Sequence, residues 1–276
     1  MNRRSFLRNA FGLGAAAVAV PTVAVGYGFA EATRLHIDRQ TIAVPRLPAA
    51  FRGATVAFVT DVHHGPFVSE ADVAAVVRTT MALAPDLILL GGDYSHRETR
   101  FIAPCFDLLA ALSAPLGVYG VLGNHDYRHG LAETRAAMAR AGVIELTNRG
   151  VPLTLNGETL HVAGVDDLWH GRPDIEAAVR GVSGTDACLL VSHNPDVAET
   201  VRDRRVGLML SGHTHGGQIV LPGFGAPLVP SRYGQKYAHG LVEAPATRVY
   251  VSAGTGMSVL PVRMGCRPEI TRITLA

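Results

Sequence analysis

The sequence predicts an α/β fold in which a two-layered β-sandwich core is flanked by helices on both outer faces. Three observations carry that expectation. Short apolar, β-rich runs alternate with helix-length segments through the first half of the chain; a hairpin signal breaks the alternation near the middle; and the last third is dense in strand-like runs. Alternation argues for βαβ units and a largely parallel, buried sheet. A second strand-rich half then needs a second layer to cover it.

The elements follow in order. Thr55–Thr60 (TVAFVT) is a β-rich apolar run and reads as a strand, followed by a helix over Ser69–Ala82. Asp86–Leu90 and Gly117–Leu122 are the next strands, each followed by a helix, around Ile102–Leu112 and over Leu131–Ala141. Val151–Leu155 and Glu158–Val165 flank Asn156-Gly157, a pair that favours a tight hairpin turn. Alternation resumes with the strand Ala187–Val191, a helix over Pro195–Arg202 and the strand Val206–Leu210. Gly217–Leu221, Gly240–Glu243, Arg248–Ser252 and Ile270–Leu275 complete the strands. With no repeat, linker or low-complexity stretch after residue 33, residues 34–276 are expected to form one domain.

Of the 276 residues, 48% are apolar and 17% charged, the balance of an ordered core rather than a solvated chain. Arg3, Arg4 and Arg8 are the only charges in the first thirty residues, so the rest carries 22 basic against 23 acidic side chains. A near-neutral body offers no electrostatic footprint for nucleic acid. Cys105, Cys188 and Cys266 are too few and too far apart for a disulfide framework or a CxxC metal site, and read as buried small hydrophobes.

Residues 1–33 read as an address. Asn2-Arg3-Arg4-Ser5-Phe6-Leu7-Arg8 precedes an uncharged run from Asn9 to Ala30 that has no polar face at helical spacing. The segment resembles a bacterial twin-arginine export signal. That resemblance implies the twin-arginine export machinery as a partner, passage of an already folded chain, and a location in the periplasm or cell envelope. Pro21 and the glycines make the run a poor permanent span, although its length approaches the ~20 residues that cross a bilayer. Cleavage near Ala30 or Ala32 and retention as an N-terminal membrane tether both stay open.

Five polar clusters each sit just beyond an apolar run: Asp61-Val62-His63, Gly91-Gly92-Asp93, Gly123-Asn124-His125-Asp126, Ser192-His193-Asn194 and Gly212-His213-Thr214-His215. Taken singly, Asp61 reads as a helix cap or turn former, and His193 as a surface or satisfied core residue. As an ordered set they supply the carboxylate, imidazole and amide donors that suit Mn, Fe or Zn. A pair of such metals is built to hydrolyse phosphate esters. Ligand sites in α/β sheets gather at the carboxyl ends of strands, where all five clusters are expected.

The DxH, GD, GNHD, SH and GHTHGGQ series, in this order, resembles the calcineurin-like metallophosphoesterase superfamily, in the branch of bacterial enzymes with N-terminal export signals or anchors. Its motifs run from Asp61 to Gln218, and the tail from Gly254 to Glu269 is similar as well. The resemblance implies two divalent metal ions: Asp61, His63 and His215 on one, Asn124, His193 and His213 on the other, and Asp93 bridging. It implies in-line attack on phosphorus by a metal-bridging hydroxide, with His125 beside the leaving-group oxygen as a catalytic residue that is not a ligand. Asp126 either orients His125 or caps a nearby helix. Asp166, Asp167, Trp169, His170, Arg232 and Tyr233 are candidates for the pocket rim.

Phosphodiester hydrolysis is the expected reaction, on phospholipid or cell-envelope phosphoesters. An alternative is a UDP-2,3-diacylglucosamine pyrophosphatase-type hydrolase of lipid A synthesis, which an exported location disfavours. A non-catalytic metal-dependent binding module is the alternative of another class; loss of ligands would be its signature, and every ligand type is present. A zinc peptidase would need HExxH, which is absent.

Overall fold

A computed structural model describes residues 26–276; the paired arginines and the apolar run up to residue 25, on which the export reading rests, lie outside the described residues. Among the described residues, twelve strands form two six-stranded sheets. From edge to edge the first holds β1 (His36–Ile42), β12 (Glu269–Leu275), β2 (Thr55–Val59), β3 (Leu87–Leu90), β4 (Val118–Gly120) and β5 (Ile144–Glu145). The second holds β10 (Gly240–Glu243), β11 (Arg248–Val251), β9 (Val206–Ser211), β8 (Ala187–Val191), β7 (Glu158–Gly164) and β6 (Arg149–Leu155). Neighbours are parallel except at β12–β2, β6–β7 and β10–β11.

Side chains alternate across each strand, and here both faces are buried. Val56 and Phe58 of β2 and Leu87 and Leu89 of β3 meet Leu160, Val162, Leu189 and Leu208 of the other sheet in the central core. Ala57, Val59, Ile88 and Leu90 point the other way, against Val73, Cys105, Phe106 and Met138 of helices α2 (Glu70–Ala82), α3 (Ile102–Leu109) and α4 (Asn124–Arg140). On the outer face of the second sheet, Leu190, Met209 and Val249 pack under Ala178 of α5 (Ile175–Ala178) and under Val197 and Tyr237. Such two-sided burial explains why these strands read as unbroken apolar runs.

The first helix, α1 (residues 26–32), lies within the segment read as an address. It is docked: the Gly28 carbonyl accepts from Arg263 N at 3.0 Å, and buried Glu31 accepts from Gly265 N at 3.1 Å. Among the described residues, no helix is long and apolar enough to cross a membrane.

Several elements differ from the expectation. Helix α4 starts at Asn124 rather than Leu131, because its first turns carry site residues and show no apolar stripe; Gly130, at φ 147°, breaks it where the expected stripe begins. The helix expected over Pro195–Arg202 is only a 3-10 turn, Pro195–Glu199. Gly217–Leu221 is not a strand. Gly216, Gly217 and Gln218 have φ of 61°, 79° and 57°, a left-handed run incompatible with extended pairing, and a single bridge joins Ile219 to Met264. β1 and β5 were not expected; β1 alternates only weakly and β5 is two residues long.

Glu269, at the head of β12, ties that strand to the second sheet. One carboxylate oxygen accepts from the Ser252 hydroxyl (2.9 Å) and Ala253 N (3.2 Å), the other from His239 Nε2 (2.9 Å). Burial opposes charge on both partners. Their mutual interaction outweighs it, raising His239 and lowering Glu269, with His36, Asp38 and Tyr250 close by. A raised imidazole stabilises below its unfolded value of 6.5 and stops doing so as pH climbs through its folded value. The melting-temperature gap between the native chain and His239→Gln is therefore expected to be widest near pH 6 and to close at alkaline pH; a constant gap would argue against the pair. In the central core, Phe58→Ala should cost about 3–5 kcal/mol in urea unfolding.

Candidate metal centre

Five of the strands end at one rim of the sandwich, and each delivers a polar cluster there. Asp61 and His63 follow β2, Asp93 follows β3, Asn124 and His125 follow β4, His193 follows β8, and His213 and His215 follow β9. Asp61, His63, Asp93, His213 and His215 all have positive φ, between 50° and 70°. Left-handed backbone is uncommon outside glycine and is a form of strain that concentrates at functional sites. Here it turns the chain sharply at the strand end, so that the side chain folds back over the rim.

The loops carrying these residues touch backbone to backbone. A Cβ on Gly123 would lie 2.2 Å from Asp93 Oδ1, and one on Gly212 would lie 2.1 Å from Asp61 Oδ2. Both positions thus need glycine for close approach to a carboxylate.

Side-chain atoms converge in two buried groups: Asp61, His63 and His215, and Asp93, His193 and His213. Within each, the ligand-capable atoms lie within 4.8 Å of one another. In the first, the Nε2 atoms of His63 and His215 are 3.0 Å apart, and Asp61 Oδ1 lies 3.3 Å from His215 Nε2. In the second, His193 Nδ1 is 2.8 Å from the Gly91 carbonyl; as donor there, it leaves the Nε2 lone pair free. That Nε2 faces Asn124 Oδ1 at 3.1 Å, Asp93 Oδ2 at 3.3 Å and His213 Nδ1 at 3.2 Å. Asp93 Oδ2 is also 3.5 Å from His63 Nε2, so this one carboxylate faces both groups.

Acceptor atoms aimed at each other in a buried space repel unless a cation lies among them. Burial keeps His63 and His215 well below the ordinary imidazole value and lowers His213 to about 3, the neutral form in which imidazole binds metals. Burial also raises Asp61 to about 6, despite the opposing charge of His193. Asp93 and His193 show the opposite shifts: against burial, their attraction holds Asp93 low and pushes His193 up to about 10. A cation between Asp93 and His193 would take the place of the proton this pair holds, so the residues present fit divalent metal ions.

His125 stands beside the groups rather than within either. Its ring lies edge-on to His63 at 4.7 Å and stacks on His96 at 4.9 Å; its Nδ1 is buried without a hydrogen-bond partner. Burial is the main influence that lowers its proton affinity. The His125 amide donates to Asp93 Oδ1 at 2.7 Å. His64, next to His63, turns away to the Phe101 carbonyl.

Three residues escaped the sequence reading. His96 forms a third convergent group with His63 and His125; its only signal was its place three residues after Asp93. Arg128, one turn along α4, lines the cavity above the centre. Arg263 is fully buried and donates from Nη2 to the carbonyls of Ala253 (2.7 Å) and Gly256 (2.6 Å), pinning the loop whose Gly256 N holds the Asp61 carbonyl. An arginine in the tail gave no sequence signal for that role. Of the rim candidates, Trp169 reaches the centre, 4.3 Å edge-on from His213, whereas Arg232 and Tyr233 lie outside the cavity lining.

Asp126 caps helix α4 and also holds the ligand loop. Its carboxylate accepts from Asp93 N (2.8 Å), Gly123 N (2.8 Å) and Tyr94 N (3.0 Å). Asp126→Ala would strand three buried donors. It should cost about 3 kcal/mol or more in urea unfolding and weaken Mn²⁺ binding measured by calorimetry.

Comparison with known proteins agrees with this geometry. The calcineurin-like phosphoesterase family matches residues 54–217. The chain is 36% identical to the metallophosphoesterase YkuE of Bacillus subtilis (strain 168), over 100% of this chain and 98% of that one. It is 32% identical to the phosphodiesterase YaeI of Escherichia coli (strain K12), over 80% of this chain and 81% of that one. Among solved structures, the sulfate thiohydrolase SoxB of Thermus thermophilus shares the fold, with a TM-score of 0.50 at 15% identity, over 76% of this chain and 53% of that one. With the family matching residues 54–217 and YkuE 36% identical over the whole chain, the chain belongs to the calcineurin-like phosphoesterase family.

Proposed function

We propose that the protein is a binuclear metal-dependent phosphodiesterase. The observation that carries this is Asp93, whose one carboxylate faces both buried donor groups. Asp61, His63 and His215 would hold one cation, Asn124, His193 and His213 the other, and Asp93 both. Bound there, the two ions would supply Lewis acidity towards the phosphoryl oxygens and lower the proton affinity of water.

The chain's own residues do the rest. A ring N–H of His125 donates to the leaving-group or phosphoryl oxygen. Arg128, an exposed residue of the cavity lining, adds a positive charge for the phosphate. Asp126 and Arg263 fix the two loops that position Asp93 and Asp61. The choice of a diester rests on similarity to the phosphodiesterase YaeI. We take residues 1–33 as a twin-arginine-type signal or tether that brings the folded enzyme to the cell envelope, a reading supported by Arg3, Arg4 and the apolar run.

Full-length protein loaded with Mn²⁺ or Zn²⁺ is expected to hydrolyse bis(4-nitrophenyl) phosphate faster than 4-nitrophenyl phosphate. Asp93→Asn should abolish turnover together with metal content measured by atomic emission. His125→Ala should retain the metal while kcat falls by about 10²–10⁴; loss of metal in that variant would overturn its separate role.

A further inference from the structure

The centre lies at the bottom of a cavity of about 420 Å³ whose floor and walls differ in chemistry. The floor is Asp93, Asn124 and His125, with the exposed Arg128 also in the lining; the walls are largely apolar, with Trp169, Ile219, Leu228, Val259 and Leu260 among them. Leu228 is 79% exposed, Val259 73%, Leu260 51% and Trp169 49%. Single exposed hydrophobics are ordinary on protein surfaces. These four come from three separate segments and meet at one mouth, which marks a binding surface.

The wall is built rather than loose. Gln218 accepts from Ser258 N at 2.6 Å and donates to the carbonyls of Leu260 (3.2 Å) and Val262 (3.4 Å). Its amide is thus committed to holding the 258–262 segment against the turn beside His215. Val259 sits at φ 61°, a strained conformation for a β-branched residue, and there it presents its side chain to the cavity. Trp169 is fixed on its other side by a 2.9 Å bond from its amide to Asp167. A polar substituent would find few free hydrogen-bonding groups along this wall; an aliphatic chain would find four apolar side chains.

We propose that the substrate is an amphiphilic phosphodiester: its phosphate meets the floor, and an alkyl or acyl chain lies against Trp169, Leu228, Val259 and Leu260. The proposal rests on the phosphodiesterase reading above and names the class of ester it takes.

The test is a series of methyl, butyl and octyl 4-nitrophenyl phosphate diesters, with thymidine 5′-(4-nitrophenyl phosphate) as the polar, stacking competitor, all on the Mn²⁺-loaded full chain. kcat/KM should climb with chain length, by up to about fourfold per buried methylene, and the octyl ester should exceed the thymidine ester. Leu228→Ser and Leu260→Ser should each cut the octyl-to-methyl ratio severalfold. Phe224→Ser, at a side chain 84% exposed on the same loop but outside the cavity lining, should leave that ratio where it is. Trp169 is the only tryptophan, so octylphosphonate, but not methylphosphonate, should blue-shift the protein's fluorescence, a readout independent of turnover. Equal rates for methyl and octyl esters, or preference for the thymidine ester, would overturn the chain site and leave the phosphodiesterase reading standing. Failure of every ester, with metal bound, would overturn both.

Discussion

The architecture of this protein depends on one electrostatic constraint. Two carboxylates and several imidazole nitrogens are brought together where water is scarce, with lone pairs facing lone pairs. Left to itself such a cluster would spring apart, so the fold has to hold it from behind. It does so with backbone: left-handed turns at five of the ligand positions, glycines that let loops meet at contact distance, and amides aimed at carboxylates. Asp126 and Arg263 are further ionisable groups buried behind the ligands. Asp126 spends its hydrogen bonds on main-chain amides, and Arg263 most of its own on main-chain carbonyls, with Cys266 Sγ and His215 Nδ1 as its side-chain partners, converting each loop into a fixed shelf. The Asp93–His193 attraction offsets part of the repulsion, and divalent cations bound among the donors would offset the rest.

Much of this was legible in the sequence, for a physical reason. Strands buried on both faces leave unbroken apolar runs, and the polar residues that follow them stand out against that background. The seven candidate ligands lie where those runs end. Elements with weaker patterns were lost: β1 at a sheet edge, β5 with two residues, and the start of α4, whose site residues erase its apolar stripe. The error at Gly217–Leu221 has a different origin. Its composition suits a strand, but three successive left-handed residues are a property of backbone geometry that composition does not carry. His96, Arg128 and Arg263 were missed because each acquires its role only from residues distant in sequence. The apolar wall was missed for the same reason: Trp169, Leu228 and Leu260 are unremarkable until the fold gathers them.

The resulting site has a clear division of labour. The rim of the two sheets supplies the reactive floor through short, sharply turned loops. The longer segments after β7, β9 and β11 supply the wall, the last two joined through Gln218. Family membership speaks to the floor, whereas the wall is built from loop side chains that can vary without disturbing the donor groups. On the readings proposed above, reaction class and substrate choice would reside in separable parts of the same chain.

The ligands are split between the two sheets. Asp61, Asp93 and Asn124 follow strands of the first, while His193, His213 and His215 follow strands of the second, and Asp61 and His213 are 152 residues apart in the chain. Such contacts form late, after the entropy of closing a long loop has been overcome. Neither sheet carries a full donor set for either group, so each group is complete only once the two sheets have docked. On the reading proposed above, an ion that engages all the donors of a group would bind the docked fold and neither half alone, so its affinity would add directly to the stability of the sheet–sheet contact.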